Sequence, residues 1–175
     1  MSEASLFLSA EEIAAALAGR LGDLGAAGGA FGGGLGGALS AGPAAGAAGA
    51  AGGASGGRLG GRLGARFTKL DSQRRHWPQP STPEHLHRLH QFLRAPQQRQ
   101  LSAPDGSPVV GLSALIGSGS MNLNPCVVEA VWDSSGLQVV AHAREGLIKQ
   151  RTCEKALDRL QSEVFGANGP TRQRR

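Results

Sequence analysis

Arg58, Arg62 and Arg66 recur every fourth residue within GGRLGGRLGARFTKL (56–70), and Lys69, Arg74, Arg75 and Trp77 follow them. A guanidinium grips phosphate with two parallel hydrogen bonds and stacks on planar rings. Interleaved glycine lets the backbone track an irregular strand, and Trp77 or Phe67 offers a stacking surface. The chemistry these residues support is recognition of a polyanion, either nucleic acid or an anionic membrane surface. Charge distribution points the same way. No acid stands between Asp23 and Asp71, the C-terminal tail adds Arg172, Arg174 and Arg175, and the net charge is +5 with an isoelectric point near 10.2. The plainer role for these arginines is to keep a Gly-rich stretch in solution.

Other reactive side chains do not assemble into a catalytic pattern. Cys126 and Cys153 fall on apolar positions, where a thiol acts as a small apolar group rather than as a nucleophile. His142 is the one base that a strand pairing can bring near Cys126. His85, His87 and His90 share a short helix, with His76 upstream, and only His87 and His90 have the spacing to share a face. A structural zinc site uses four ligands, usually with paired cysteines, and none are paired here. No GxxxxGK[ST] loop occurs, and the glycines after Gly117 miss the dinucleotide fingerprint. The expectation is a protein that is not an enzyme and carries neither cofactor nor metal.

The elements that position these residues follow from periodicity. Ser9 and Glu12 have capping-box spacing ahead of a stripe formed by Ile13, Leu17, Leu21 and Leu24. Residues 1–24 therefore read as a short amphipathic N-terminal helix, and that stripe is a candidate partner-docking face. Residues 25–79 read as a low-complexity linker, first Gly/Ala and then basic. Glycine has the most backbone entropy to lose on ordering, and alanine buries little to offset it. Prolines 78 and 80 mark a boundary, and residues 80–166 read as a small folded domain. Thr82-Pro83-Glu84 starts a helix that continues through Leu86, Leu89 and Leu93 to Pro96. Pro104-Asp105-Gly106 is a turn, and 109–116 a strand. CVVEAVW (126–132), the turn DSSG and LQVVAH (137–142) form a hairpin. Its inward face carries Cys126, Val128, Ala130 and Trp132, and Glu129 lies on the other face. A helix follows to Phe165, with a core stripe of Cys153, Ala156, Leu157, Leu160 and Val164, and Gly166 ends it. Residues 167–175 are a basic disordered tail. The fold class is α+β: a small antiparallel sheet packed by a C-terminal helix, behind a disordered Gly/Ala-rich arm.

The stretch from Asn122 to Leu160, and within it VVAHAREGLIKQRTCEKAL (139–157), resembles the C-terminal hairpin and helix of small uncharacterised helix-grip, START-like domains. That resemblance implies a curved antiparallel sheet gripping a long C-terminal helix, often with a hydrophobic ligand between them. It brings no catalytic residues.

Three functional readings result. The leading one is a non-catalytic interaction or adaptor module with a flexible basic arm and an unidentified protein partner. The alternatives are a nucleic-acid-binding protein acting through the Arg/Gly segment 56–75, and a hydrophobic-ligand-binding domain. Met1-Ser2-Glu3 does not resemble the start of a secretion signal, no apolar run is long enough to span a membrane, and two cysteines make no disulfide framework. The expected location is intracellular, cytoplasmic or nuclear, rather than secreted.

Overall fold

The computed structural model describes residues 5–64, 68–103, 106–118, 124–145 and 150–166. The turn expected at Pro104–Asp105 and the tail lie outside them, as do Arg66 and Phe67. The chain divides into two compact units. One holds the residues up to Ile13, the stretch Leu70–Glu145 and the C-terminal helix. The other is centred on Ala14–Lys69.

In the first unit the α+β expectation holds. Five strands, β1 (Lys69–Trp77), β2 (Gln97–Ser102), β3 (Pro108–Ser118), β4 (Asn124–Asp133) and β5 (Gly136–Glu145), form one sheet in the order β1-β5-β4-β3-β2. The β2–β3, β3–β4 and β4–β5 pairs are antiparallel. The chain leaves β1 at one edge and crosses to the other through α3 (Pro83–Leu93). It then meanders back until β5 lies beside β1, and α4 (Thr152–Phe165) closes the fold.

Each helix forms for a local reason. Thr82 caps α3 by accepting from the His85 N–H at 3.1 Å, and Pro83 occupies the first turn, where no N–H donor is needed. Leu89 and Leu93 face the core, while Leu86 is turned largely to solvent. The N-terminus of α4 has no side-chain cap of its own. Instead the Glu145 carboxylate accepts from the backbone N–H groups of Gln150 and Thr152 at 2.6 and 2.7 Å. Burial pushes that carboxyl up, but the hydrogen bonds from Thr152 and Gln150 outweigh it and hold the group below its ordinary range. The stripe Cys153, Ala156, Leu157, Leu160 and Val164 is buried, as the sequence implies. It packs on Val128, Ala130, Leu137, Val139 and Ala141 of the sheet.

Two expected features of this unit change. The folded region extends beyond 80–166, because β1 and residues 5–13 belong to it. Both edge strands are more polar than a buried strand, KLDSQRRHW and QQRQLS, and so lack the apolar alternation that identifies one.

The second unit replaces the expected flexible arm. Helix α1 (Ala10–Ala41) and helix α2 (Pro43–Gly64) form an antiparallel hairpin about Gly42. Gly42 sits at φ 87°, a left-handed conformation glycine adopts without strain, and Pro43 then starts α2. The glycines that argue for flexibility are the hairpin's contact surface. Gly25 faces Gly57, Gly29 faces Gly53 and Gly33 faces Gly49, so closely that a Cβ on any of them would collide with the opposing carbonyl. Close backbone approach between small residues is a packing mode that composition alone does not register.

Candidate functional site

Glu129 is the middle residue of β4, on the sheet face opposite α4, and it is completely buried. Register explains its neighbour. Glu129 pairs with Val140 and Val127 with His142, so Glu129 and His142 are diagonal on one face of adjacent strands. His142 Nε2 lies 2.7 Å from Glu129 Oε1, and His142 Nδ1 lies 2.8 Å from the Ser72 hydroxyl on β1. The carboxylate's remaining capacity goes to the N-terminal segment. The Phe7 and Leu8 N–H groups donate to Oε2, each at 2.8 Å, and the Ser5 hydroxyl donates to Oε1 at 3.0 Å. Burial pushes the Glu129 carboxyl up. The His142 hydrogen bond, followed by those from Phe7, Leu8 and Ser5, overcomes this and holds it below its ordinary value.

A carboxylate on Nε2 fixes the ring proton there, which leaves Nδ1 to accept from Ser72. Acid, imidazole and hydroxyl in that order can activate a serine. Here the acid and the ring are sealed from solvent and the carboxylate is saturated by donors. What the network does is anchor residues 5–8 to the sheet. Arg99 reinforces this from β2, donating to the Phe7 carbonyl at 3.0 Å and to Glu12 at 2.7 Å. The Ser9/Glu12 capping box then starts α1, with both of its hydrogen bonds made.

The register also separates Cys126 from His142, the base considered for it. Cys126 opposes Ala143 and faces the core, so the two side chains lie on opposite sides of the sheet. The Cys126 thiol is pushed well above its ordinary value, first by its hydrogen bond with Cys153 and then by burial. Both cysteines are free and buried.

The polyanion candidates separate into exposed and occupied residues. Arg58, Lys69 and Arg74 are exposed, and Arg62 stands in the last turn of α2. Arg75 is bound to Asp158 of α4 at 2.6 Å. Trp77 is 4% exposed and packs on Phe165 with ring centroids 5.7 Å apart, so its ring is not free to stack on a base. On the docking stripe, Ile13 and Leu17 are buried within the chain, and Leu21 and Leu24 are half-buried. Leu70, Leu86, Val110 and Leu115 are exposed singly in the sheet unit, and five more exposed large apolar residues lie along the hairpin. They are Phe31, Leu35 and Leu39 on α1, and Leu59 and Leu63 on α2.

Two features were missed by sequence reasoning. The first is the polar network, whose signal is one acid interrupting CVVEAVW and one histidine interrupting VVAHA. The second is the outward ridge of the hairpin, whose signal is Phe31, Leu35 and Leu39 at intervals of four.

Fold and site together define an α+β unit accompanied by a Gly-rich helical hairpin. No protein family matches the chain, and neither a curated protein nor a solved structure resembles it. Among the described residues no helix is long and apolar enough to cross a membrane, and no group of three or more His, Cys, Asp or Glu side chains is placed to hold a metal.

Proposed function

We propose that this chain is a non-catalytic interaction module that engages its partner through the outward surface of the α1–α2 hairpin. The observation that carries the reading is the ridge of Phe31, Leu35 and Leu39, spaced by four on α1 and 71, 50 and 87% exposed. Single exposed leucines are ordinary, whereas a contiguous strip of large apolar side chains marks a contact surface. The polar network of the first unit has an architectural role in this reading, because every group of its acid is engaged in holding residues 5–8.

A photo-crosslinking side chain at Leu35, compared with one at exposed Glu163 on α4, tests the proposal in cells. Adducts from position 35 and none from position 163 are expected. Absence of adducts at position 35 contradicts it.

A second reading is a helix-grip-like ligand domain. Its support is the strand order, with the first strand beside the last, and the C-terminal helix lying on one sheet face. The space a ligand would take is filled by Val128, Val139, Leu157 and Leu160, so binding requires the core to open. A hydrophobic ligand that raises the melting temperature in proportion to its concentration would favour this reading.

A further inference from the structure

The charges of the hairpin are collected at one end. From Leu24 to Gly57, across the whole tip, no residue is charged, and Glu11, Glu12, Arg20, Asp23, Arg58 and Arg62 all stand toward the other end. Large apolar side chains in the uncharged part point outward at Phe31, Leu35 and Leu39. Its polar side chains are Ser40 and Ser55, and both return their hydroxyl protons to their own helix. Ser40 donates to the Gly36 carbonyl at 2.8 Å and Ser55 to the Gly52 carbonyl at 2.9 Å. The turn is satisfied in the same way, with Gly42 N–H on the Ala38 carbonyl and Gly46 N–H on the Gly42 carbonyl. Internal closure of these hydrogen bonds lowers the cost of placing the tip in an apolar medium.

The hairpin interface suits lipid better than water. Each glycine in a helix costs about 1 kcal/mol relative to alanine, and a Gly–Gly contact removes little apolar surface from water. In an apolar medium the same backbone hydrogen bonds are stronger, and close packing of small residues is the main source of helix association. The uncharged arm of α1, at about 1.5 Å rise per residue, has a length close to the roughly 30 Å of a bilayer's hydrocarbon core. Its composition is too rich in glycine for a spanning helix. Its outward ridge of Phe31, Leu35 and Leu39 suits shallow burial among the acyl chains at the interface.

Resting on the reading of the hairpin as the contact surface, we propose that its partner is an anionic lipid bilayer. The charge-free tip enters the membrane interface through Phe31, Leu35 and Leu39, and exposed Arg58 meets the lipid phosphates. Charge complementarity selects this occupant over a neutral surface, because the stretch Ala14–Lys69 carries Arg20, Arg58, Arg62, Arg66 and Lys69 against the single acid Asp23, with Glu11 and Glu12 lying just before it. Basic residues near an anionic leaflet each contribute about five-fold in affinity.

The test is co-sedimentation of the full chain with phosphatidylcholine vesicles, with and without phosphatidylserine, at two salt concentrations. Binding is expected to the anionic vesicles and to weaken with salt. Leu35→Asp with Leu39→Asp should reduce it by about ten-fold or more, since burial of two leucines is lost. Arg58→Glu should reduce it by at least about five-fold. The first two sites are exposed, and unchanged helicity by circular dichroism will establish that each variant still folds. Failure to bind anionic vesicles overturns the proposal, as does equal binding to neutral ones. Salt-sensitive binding to a labelled oligonucleotide without vesicle binding reassigns the arginines to nucleic acid. A dimer that Leu35→Asp dissociates, again without vesicle binding, reassigns the ridge to a second copy of the chain. Crosslinks from position 35 that persist without vesicle binding would leave the contact-surface reading standing and remove only the lipid.

Discussion

Glu129 Oε1 and His142 Nε2 meet at 2.7 Å on adjacent strands, in a place that neither reaches from solvent. The pair is the hub through which Ser72 on β1 and residues 5–8 are joined to the centre of the sheet. A buried carboxylate of this kind is tolerated because hydrogen-bond donors surround it.

Glu129→Gln keeps the shape and removes the charge. Two backbone donors and His142 then face a neutral amide, and hydrogen bonds to charged groups contribute about 1.5–3 kcal/mol each. A loss of roughly 2–4 kcal/mol in chemical denaturation is expected, together with faster proteolysis in residues 5–8. Ser72→Ala, which removes only the outer hydroxyl, should cost about 1 kcal/mol.

Acid should loosen the same segment. The folded carboxyl of Glu129 lies below its ordinary value, so it stabilises the fold above the unfolded range, and that stability is lost as pH falls through the folded value. Glu145 and Asp133 are also lowered and act in the same direction. The Asp133 shift comes first from the Ser135 hydroxyl. Melting temperature should therefore decline on acidification below the ordinary carboxylate range, and Glu129→Gln should flatten that decline. An unchanged slope in the variant contradicts the role given to Glu129.

Two glycines on one helix should respond in opposite ways. A methyl at position 29 would strike the Gly53 carbonyl, whereas one at position 32 meets nothing within 4 Å. Gly32→Ala should raise helicity, since alanine is favoured by about 1 kcal/mol in a helix. Gly29→Ala has the same propensity gain but should open the hairpin. Far-ultraviolet circular dichroism and limited proteolysis of the two variants decide the matter.

Glu145→Ala should unwind the first turn of α4, because Gln150 and Thr152 lose the acceptor that caps them. A cost of about 1 kcal/mol is typical for a lost cap. Hydrogen exchange at Thr152 and Cys153 should rise first.

Much of the sheet unit is legible in the sequence, for identifiable reasons. The β4–β5 hairpin, the α4 stripe and the Thr82 cap are local patterns, each written within about a dozen residues. The edge strands are not legible, because an edge strand is held by backbone pairing and its side chains are mostly polar. Glu129 reads as solvent-facing from alternation alone. What buries it is residues 5–8, more than a hundred positions away. The hairpin is hidden for a different reason. Its contacts are made by absent side chains, and composition counts glycine as disorder even when its spacing of four aligns it on one helix face. The polyanion residues divide along the same line: Trp77 and Arg75 look available in isolation and are taken by Phe165 and Asp158.

Residues 25–57 belong to a helical hairpin, and the proposed partner of that hairpin is an anionic bilayer. Amide hydrogen exchange across that stretch, in the free chain and on phosphatidylserine-containing vesicles, tests that proposal most directly. Protected amides are expected in the free chain, with further slowing on vesicles, greatest around Phe31 to Leu39. Rapid exchange throughout 25–57 in both conditions would contradict it.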